Sequence, residues 1–340
     1  MPSAISSAGE DGAARKAFHI PTVDISPYLV DPSSAASQAL IQQVADACVT
    51  TGFFQLVGHG IPRELQKAVF EGSAAFFRLP SEEKKKLDKS QSVGSSNRGY
   101  EVLGNQALQE GTLPDLKEGF YVGQEIPLED PRVQAHAFLM GPNLWPPSSM
   151  VPEDVFKKPM QEYWQLMFSL SLKVMDVLAA GLPYGPHVFD EFVSNDAVAS
   201  IRLLHYPPQK ASSELQLGAG AHTDFGAITL LLQDHNRGLQ VWNAGDETWV
   251  DVEPNPDAYV VNIGDMLSRW TSGKYKSNLH RVINQSTKDR YSVPFFFDGN
   301  IACELWPLDG SKIEGPVLTV EGHMKERFTT TYGRAKTTVK

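Results

Sequence analysis

Ala199–Tyr206 (ASIRLLHY) opens a series of short apolar runs. It continues through Ala227–Gln233 (AITLLLQ), Leu239–Trp242 (LQVW), Trp249–Val252 (WVDV), Tyr259–Asn262 (YVVN), Leu279–Ile283 (LHRVI) and Tyr291–Phe297 (YSVPFFF). Gly218, Gly220, Gly238, Gly245, Pro254, Pro256, Gly264 and Gly273 punctuate the series. Closely spaced strands separated by turn residues predict two packed sheets, a distorted double-stranded β-helix or jelly roll. The expected class is mainly β with α.

Outward from this core the pattern changes. Pro159–Ala180 places Met160, Tyr163, Trp164, Met167, Leu170, Val174, Val177 and Leu178 at helical spacing, a stripe that belongs in a core. Gly181 and Pro183 end it. Val320–Thr331 reads as a closing helix. Toward the N-terminus, Ile20–Ile25 reads as an edge strand that tolerates Pro21. Ser34–Thr51 reads as a helix stopped by Gly52, Phe53–Val57 as a strand, and Pro62–Leu79 as a second helix. A short charged helix opens at Pro80, and its Lys84-Lys85-Lys86 run reads as a solvated face. Residues 88–150 are rich in glycine and proline and read as loops, with part of a substrate mouth around Arg98-Gly99-Tyr100 and Phe120-Tyr121. Residues 1–17 read as a disordered lead-in without the apolar segment of a signal peptide. The expected organisation is an N-terminal α/β region over 18–150 that forms one structural unit with a helix and jelly-roll core over 151–340.

Composition narrows the function. Of 340 residues, 41% are hydrophobic and 21% charged, as in a globular enzyme with a sizeable core. The net charge of −10 disfavours nucleic acid, which needs a basic footprint. No apolar run approaches the ~18 residues of a membrane span. The two cysteines, Cys48 and Cys303, suggest reduced thiols rather than a disulfide framework, so the expected location is cytoplasmic. A monomer or weak homodimer acting on a small molecule is expected.

The chemistry starts at His222-Thr223-Asp224. On extended backbone, residues two apart share a side, so an imidazole and a carboxylate aim at one point. His280 lies in the later run Leu279–Ile283. Two histidines and one carboxylate leave three positions of an octahedron open, the facial triad of non-haem Fe(II) oxygenases, with room for a bidentate co-substrate and O2. His-x-Asp alone is a weak signal. Arg290-Tyr291-Ser292, ten residues past His280, strengthens it. Arg290 offers a fork for a carboxylate and Ser292 a hydroxyl on the same face, with Pro294 and Phe296 as an apolar continuation. A keto dicarboxylate chelated at the metal needs such a cation at its far end.

With these residues in place, the chain resembles the isopenicillin-N-synthase-like branch of the Fe(II)/2-oxoglutarate dioxygenases, over about residues 18–335. The resemblance is carried by Ile20–Asp24, Thr51–Phe54, Gly58–Pro62, Ala221–Gly226, Val261–Asp265, Tyr275–Val282 and Arg290–Ser292. It implies Fe(II) on His222, Asp224 and His280, and 2-oxoglutarate held by Arg290, Ser292 and Tyr206. It also implies a substrate-facing aromatic at Phe296. Leu204 stands where plant members carry asparagine, which makes the chain more similar to fungal or bacterial members of the thymine-hydroxylase type. Tyr100, Tyr121 and Phe225 are further substrate-side candidates. His59 reads as a turn residue, His235 as solvated, His205 as facing away from Tyr206, and Trp270 as core. Two alternatives remain at this level: an oxoglutarate-independent Fe(II) oxidase of the isopenicillin N synthase type, and a non-catalytic jelly-roll binder.

Overall fold

The computed structural model describes residues 18–194, 197–208, 213, 215–283 and 286–335, with backbone alone over 330–335. The expected lead-in, 1–17, lies outside the described residues. In chain order the N-terminal part contributes β1 (Thr22–Asp24), α1 (Ser26–Val30), α2 (Ala35–Thr50), β2 (Phe53–Val57), α3 (Arg63–Phe77), α4 (Ser81–Lys85), β3 (Gly99–Glu101), β4 (Glu118–Gly123) and α5 (Pro131–Gln134). The long helix α6 (Lys157–Ala180) follows. Then come β5 (Ala197–Tyr206), β6 (Ala219–His222), β7 (Ile228–Gln233), β8 (Leu239–Asn243), β9 (Thr248–Asp251), β10 (Tyr259–Ile263), α7 (Asp265–Trp270), β11 (His280–Val282), β12 (Arg290–Asn300) and α8 (Val320–Ala335).

Two sheets form. The larger runs β1-β2-β10-β7-β12-β5-β4-β3 and the smaller β6-β11-β8-β9. The jelly roll is therefore present, and the N-terminal strands extend its larger sheet at both edges. β2 pairs antiparallel with β10, and β4 with β5. β1 takes the outermost place beside β2, where a strand next to Pro21 is tolerated. Residues 88–150 differ from expectation here, because Phe120-Tyr121 sits within β4 and every residue of that strand is buried.

Side-chain alternation assigns the two faces of the larger sheet. Ile201, Leu203, Leu230, Leu232, Val293 and Phe295 pack outward with the buried stripe of α6 and with α2 and α3 in one continuous apolar cluster. The residues between them point at the smaller sheet. There Phe53, Leu204, Tyr206, Val241 and Val260 form a second, smaller cluster. Strand period two thus produces a dry outer layer and a mixed inner one.

Local punctuation follows chemistry. Ser34 caps α2 by accepting from the Ser37 amide, and the chain leaves the helix through Gly52 at φ +73°. A Cβ at Gly52 would stand 2.1 Å from the Lys276 carbonyl oxygen, so the turn and the close approach both require glycine. The lysine run departs from its solvated reading. Lys85 and Lys86 are exposed and pair with Glu82 and Glu83, whereas Lys84 is 7% exposed and bonds Glu118 at 2.6 Å. Cys48 and Cys303 are both free and buried. No described helix is long and apolar enough to cross a membrane.

Candidate active site

β6 and β11 pair antiparallel with His222 directly opposite His280. The strand ends at His222, and the chain turns inward at Thr223. The turn is fixed from outside: the Asp265 amide at the start of α7 donates to the Asp224 carbonyl at 2.8 Å, and Thr223 Oγ1 donates to Asp265 Oδ2 at 2.9 Å. As a result His222 Nε2 lies 3.8 Å and His280 Nε2 3.7 Å from Asp224 Oδ1. One ligating atom from each of the three residues falls within 4.8 Å of the others. His222 Nδ1 bonds the Gly220 carbonyl at 2.7 Å and His280 Nδ1 the Asn278 carbonyl at 3.2 Å. A carbonyl only accepts, so both protons sit on Nδ1 and both Nε2 lone pairs face inward.

The carboxylate is oriented from its other oxygen. Asp224 Oδ2 accepts from Thr229 Oγ1 at 2.5 Å and Asn262 Nδ2 at 2.8 Å. Thr229 and Asn262 are cross-strand partners on β7 and β10, so one register position supplies both donors. Burial opposes ionisation of Asp224, but His280, His222 and the two donors prevail and hold its carboxyl below the usual range. Burial, with His280 beside it, pushes the His222 imidazole well below its ordinary value. A neutral imidazole and an ionised carboxylate are the forms that bind a metal.

The triad opens onto a cavity between the sheets that encloses about 1090 Å³, its solvent mouth included. Arg290 and Ser292 project into it from β12, and Tyr206 and Leu204 stand directly opposite them on β5. Arg290 is fully buried. Its Nη2 donates to Gln233 Oε1 and its Nε to the Asn236 carbonyl, both at 3.3 Å, and its guanidinium lies 4.9 Å from the Tyr206 ring centre. Nη1 has no partner. A buried cationic donor without an acceptor is costly, and the carboxylate end of a ligand would satisfy it. Leu204 is apolar and offers no hydrogen bond beside Ser292.

Of the substrate-side candidates, Phe296, Tyr121 and Phe225 line the cavity. Tyr100 does not, which corrects its expected place. It faces the helical layer against Phe76 and donates to Glu118 Oε2. The reason is register: Tyr100 stands opposite Phe120, and Tyr121 is opposite Gly99. Arg98 is likewise buried away from the cavity, donating to the Ser96 and Leu139 carbonyls. Among the other histidines, His59 accepts from the Ile61 amide in a turn and His235 is exposed. His205 is held between Glu118 and Asp289, each at 2.7 Å. Trp270 is core, packed on Phe189 and Phe192.

Sequence patterns alone assign no role to several residues that the fold brings to the site. Thr229 and Asn262 orient Asp224. Met324 and Phe328 of α8 close one side of the cavity. His323 Nε2 bonds the Phe225 carbonyl at 2.9 Å, and Arg327 pairs with Asp265 at 2.8 Å, which docks α8 on the triad turn. Asp298 also lines the cavity. Helical spacing around Val320 indicated a helix but not the face it would cover.

Comparison with known proteins gives this geometry its relatives. Residues 20–148 match the family model for the N-terminal region of non-haem dioxygenases in morphine synthesis, and residues 197–299 that of the 2OG-Fe(II) oxygenase superfamily. The 2-oxoglutarate-dependent dioxygenase citB of Monascus ruber is 54% identical over 94% of this chain and 98% of its own length. Clavatol oxidase claD of Penicillium crustosum is 46% identical over 93% and 97%. The Neurospora crassa thymine-7-hydroxylase, solved with alpha-KG and thymine, superposes with a TM-score of 0.78 at 28% identity over 95% of this chain and 98% of that one. JOX2, solved with 2OG, Fe and JA, gives 0.70 at 28% over 92% and 85%. The chain belongs to the Fe(II)- and 2-oxoglutarate-dependent oxygenases and is an enzyme of that class.

Proposed function

We propose that His222, Asp224 and His280 hold the Fe(II), and that Arg290, Ser292 and Tyr206 hold the 2-oxoglutarate. The donor set fits the metal: two inward imidazole nitrogens and one oriented carboxylate oxygen within 4.8 Å of one another, with no thiolate among them. The unpartnered Nη1 of Arg290 at the buried end of the same cavity fits the co-substrate. That pairing of a triad with an unsatisfied buried cation carries the assignment.

When bound, Fe(II) and 2-oxoglutarate supply the oxidation, in which O2 converts 2-oxoglutarate to succinate and CO2 while a substrate C–H bond is oxidised. The chain's own work is orientation and exclusion of water. The Gly220 and Asn278 carbonyls fix the imidazole tautomers. Thr229 and Asn262 leave Asp224 Oδ1 as the free oxygen. Arg290 and Ser292 clamp the distal carboxylate, and the Tyr206 ring lies against the guanidinium. Phe225, Phe296 and Tyr121, with Met324 and Phe328 from α8, form an apolar surround that suits a small, flat organic metabolite. Named relatives that act on or bind clavatol, thymine and JA support a small-molecule substrate. We infer a cytoplasmic monomer or weak homodimer with no nucleic-acid or membrane partner, in keeping with the acidic charge of −10. Residues 18–150 and 151–340 are taken as one working unit.

Anaerobic titration with Fe(II) and then 2-oxoglutarate tests the site through the weak visible charge-transfer band of the ternary complex. The band is expected in the wild-type protein, absent in H280A and shifted to far higher 2-oxoglutarate concentrations in R290L. An unchanged band in H280A overturns the metal assignment. Succinate released in step with turnover separates this enzyme from an oxoglutarate-independent oxidase, and turnover without succinate overturns the co-substrate assignment.

A further inference from the structure

Asp298 is a carboxyl group that nothing in the fold explains. It continues the inward face of β12 beyond Pro294 and Phe296 and lines the cavity. It is 4% exposed, and no described residue donates a hydrogen bond to it. Burial, reinforced by Asp224, pushes its carboxyl up to about 7. The side chain is seated against Gly226, where a Cβ would overlap Asp298 Oδ1. Glycine at 226, two residues past Asp224, thus leaves room for the carboxyl close to the triad. The carboxyl therefore borders the cavity with its hydrogen-bonding capacity unused, and polar groups left so in a largely buried place concentrate where a ligand completes them.

We propose that Asp298 is a substrate-specificity residue that hydrogen-bonds a hydroxyl group on an otherwise apolar, aromatic substrate. The proposal rests on the cavity assignment above. The same cavity carries Phe225, Phe296, Phe328 and Tyr121, which suit a flat hydrocarbon frame, and of its charged linings Lys117 and Arg202 are already paired with Asp115 and Glu101. A hydroxyl suits this carboxyl in either protonation state. It donates to the carboxylate and accepts from the acid, so recognition survives a change of protonation. An ammonium group would require the ionised form, and a bare carbonyl the protonated one.

The test uses the full-length protein with Fe(II) and 2-oxoglutarate under argon, and two matched probe pairs: 4-methylphenol against toluene, and 2-naphthol against naphthalene. Equilibrium dialysis is expected to show the wild-type protein retaining each hydroxylated member about tenfold more tightly than its hydrocarbon, as one hydrogen bond to a charged or strongly polar group implies. In D298A the hydrocarbon affinity is expected to stay and the preference to fall to within about twofold. D298N, which keeps a donor and an acceptor, is expected to restore part of it. The visible band in the same samples reports the co-substrate site. With the band intact in D298A, an undiminished preference overturns the role of Asp298 and leaves the cofactor assignment standing. A wild-type protein that does not discriminate within the pairs overturns it as well, and absence of the band in the wild type overturns both. The thermal midpoint separates a structural role. Removing an unpaired buried carboxyl is expected to raise it, and a fall in D298A overturns the proposal.

Discussion

Arg290 bonds only neutral acceptors among the described residues, the Gln233 side chain and the Asn236 carbonyl, and keeps Nη1 unused. Hydrogen bonds to charged groups are worth about 1.5–3 kcal/mol each, or about ten- to hundredfold in affinity. R290K retains the charge but loses the planar fork. It is therefore expected to raise the KM for 2-oxoglutarate by about tenfold or more while the Fe(II) affinity stays unchanged; equal KM values for both proteins contradict the anchor. Asp298 gives a pH prediction at the same scale. Its folded value of about 7 lies above the ordinary carboxyl value of 3.8. The folded state therefore retains a proton that the unfolded chain has released. Its stability contribution is intact below about pH 4, declines as the pH rises to about 7, and changes no further above that. D298N does not titrate. In metal-free protein its stability advantage over wild type is expected to grow between pH 4.5 and 7.5, towards a ceiling of about 4 kcal/mol. Urea midpoints of both proteins at the two pH values measure this, and a constant difference contradicts the buried-carboxyl assignment.

At the scale of elements, the orientation of Asp224 depends on the register between β7 and β10, which places Thr229 opposite Asn262. Groups that orient metal ligands typically contribute about ten- to hundredfold in metal affinity. T229V preserves shape and removes one donor, so its Fe(II) dissociation constant is expected to rise by about tenfold with little change in thermal midpoint. An unchanged constant in an anaerobic Fe(II) titration would show that Asn262 suffices. Register also explains what was legible beforehand. Period-two spacing within one run put Arg290, Ser292 and Phe296 on a single face, and the same parity placed His222 with Asp224. Parity between runs was not available. Tyr100 and Tyr121 both looked substrate-facing, yet β3 and β4 pair so that Tyr100 shares the face of Phe120 instead. Asp298 lies just past the apolar run that ends at Phe297, and the extension of β12 to Asn300 could not be read from that run. Thr229 and Asn262 sit in apolar runs where a lone polar residue carries no signal until its partner strand is known.

At the scale of the whole molecule, the N-terminal region and the jelly roll share one sheet and one apolar cluster. Family models cover 20–148 and 197–299 separately, but β2 and β4 hydrogen-bond to β10 and β5. A buried polar link runs across the same boundary. Glu118 on β4 accepts from Lys84 at 2.6 Å and from Tyr100, and bonds His205 on β5 at 2.7 Å. Burial opposes its ionisation, but the bonds from His205, Lys84 and Tyr100 prevail and hold its carboxyl below the usual range. Exposed pairs such as Lys85–Glu82 contribute at most about 1 kcal/mol, whereas removing one partner from a buried pair costs about 3–5 kcal/mol. K84M is accordingly expected to lower stability by about 3 kcal/mol or more, and K85M by less than about 1 kcal/mol, in urea denaturation. Lys84 could not be separated from its neighbours in sequence, because its carboxylate lies 34 positions away. Division at residue 150 should be more damaging than either substitution. A chain of residues 151–340 would expose both edges of the sheet, at β10 and β5, and the apolar faces of α6 that α2 and α3 cover. Unpaired edges and an uncovered core face give an aggregation-prone state rather than a smaller native one. The full chain is expected to unfold in one cooperative step seen alike by far-ultraviolet circular dichroism and tryptophan fluorescence, and the 151–340 fragment to show no cooperative transition. A soluble fragment with its own sharp transition would instead make the jelly roll an independent domain and the N-terminal strands an accessory layer.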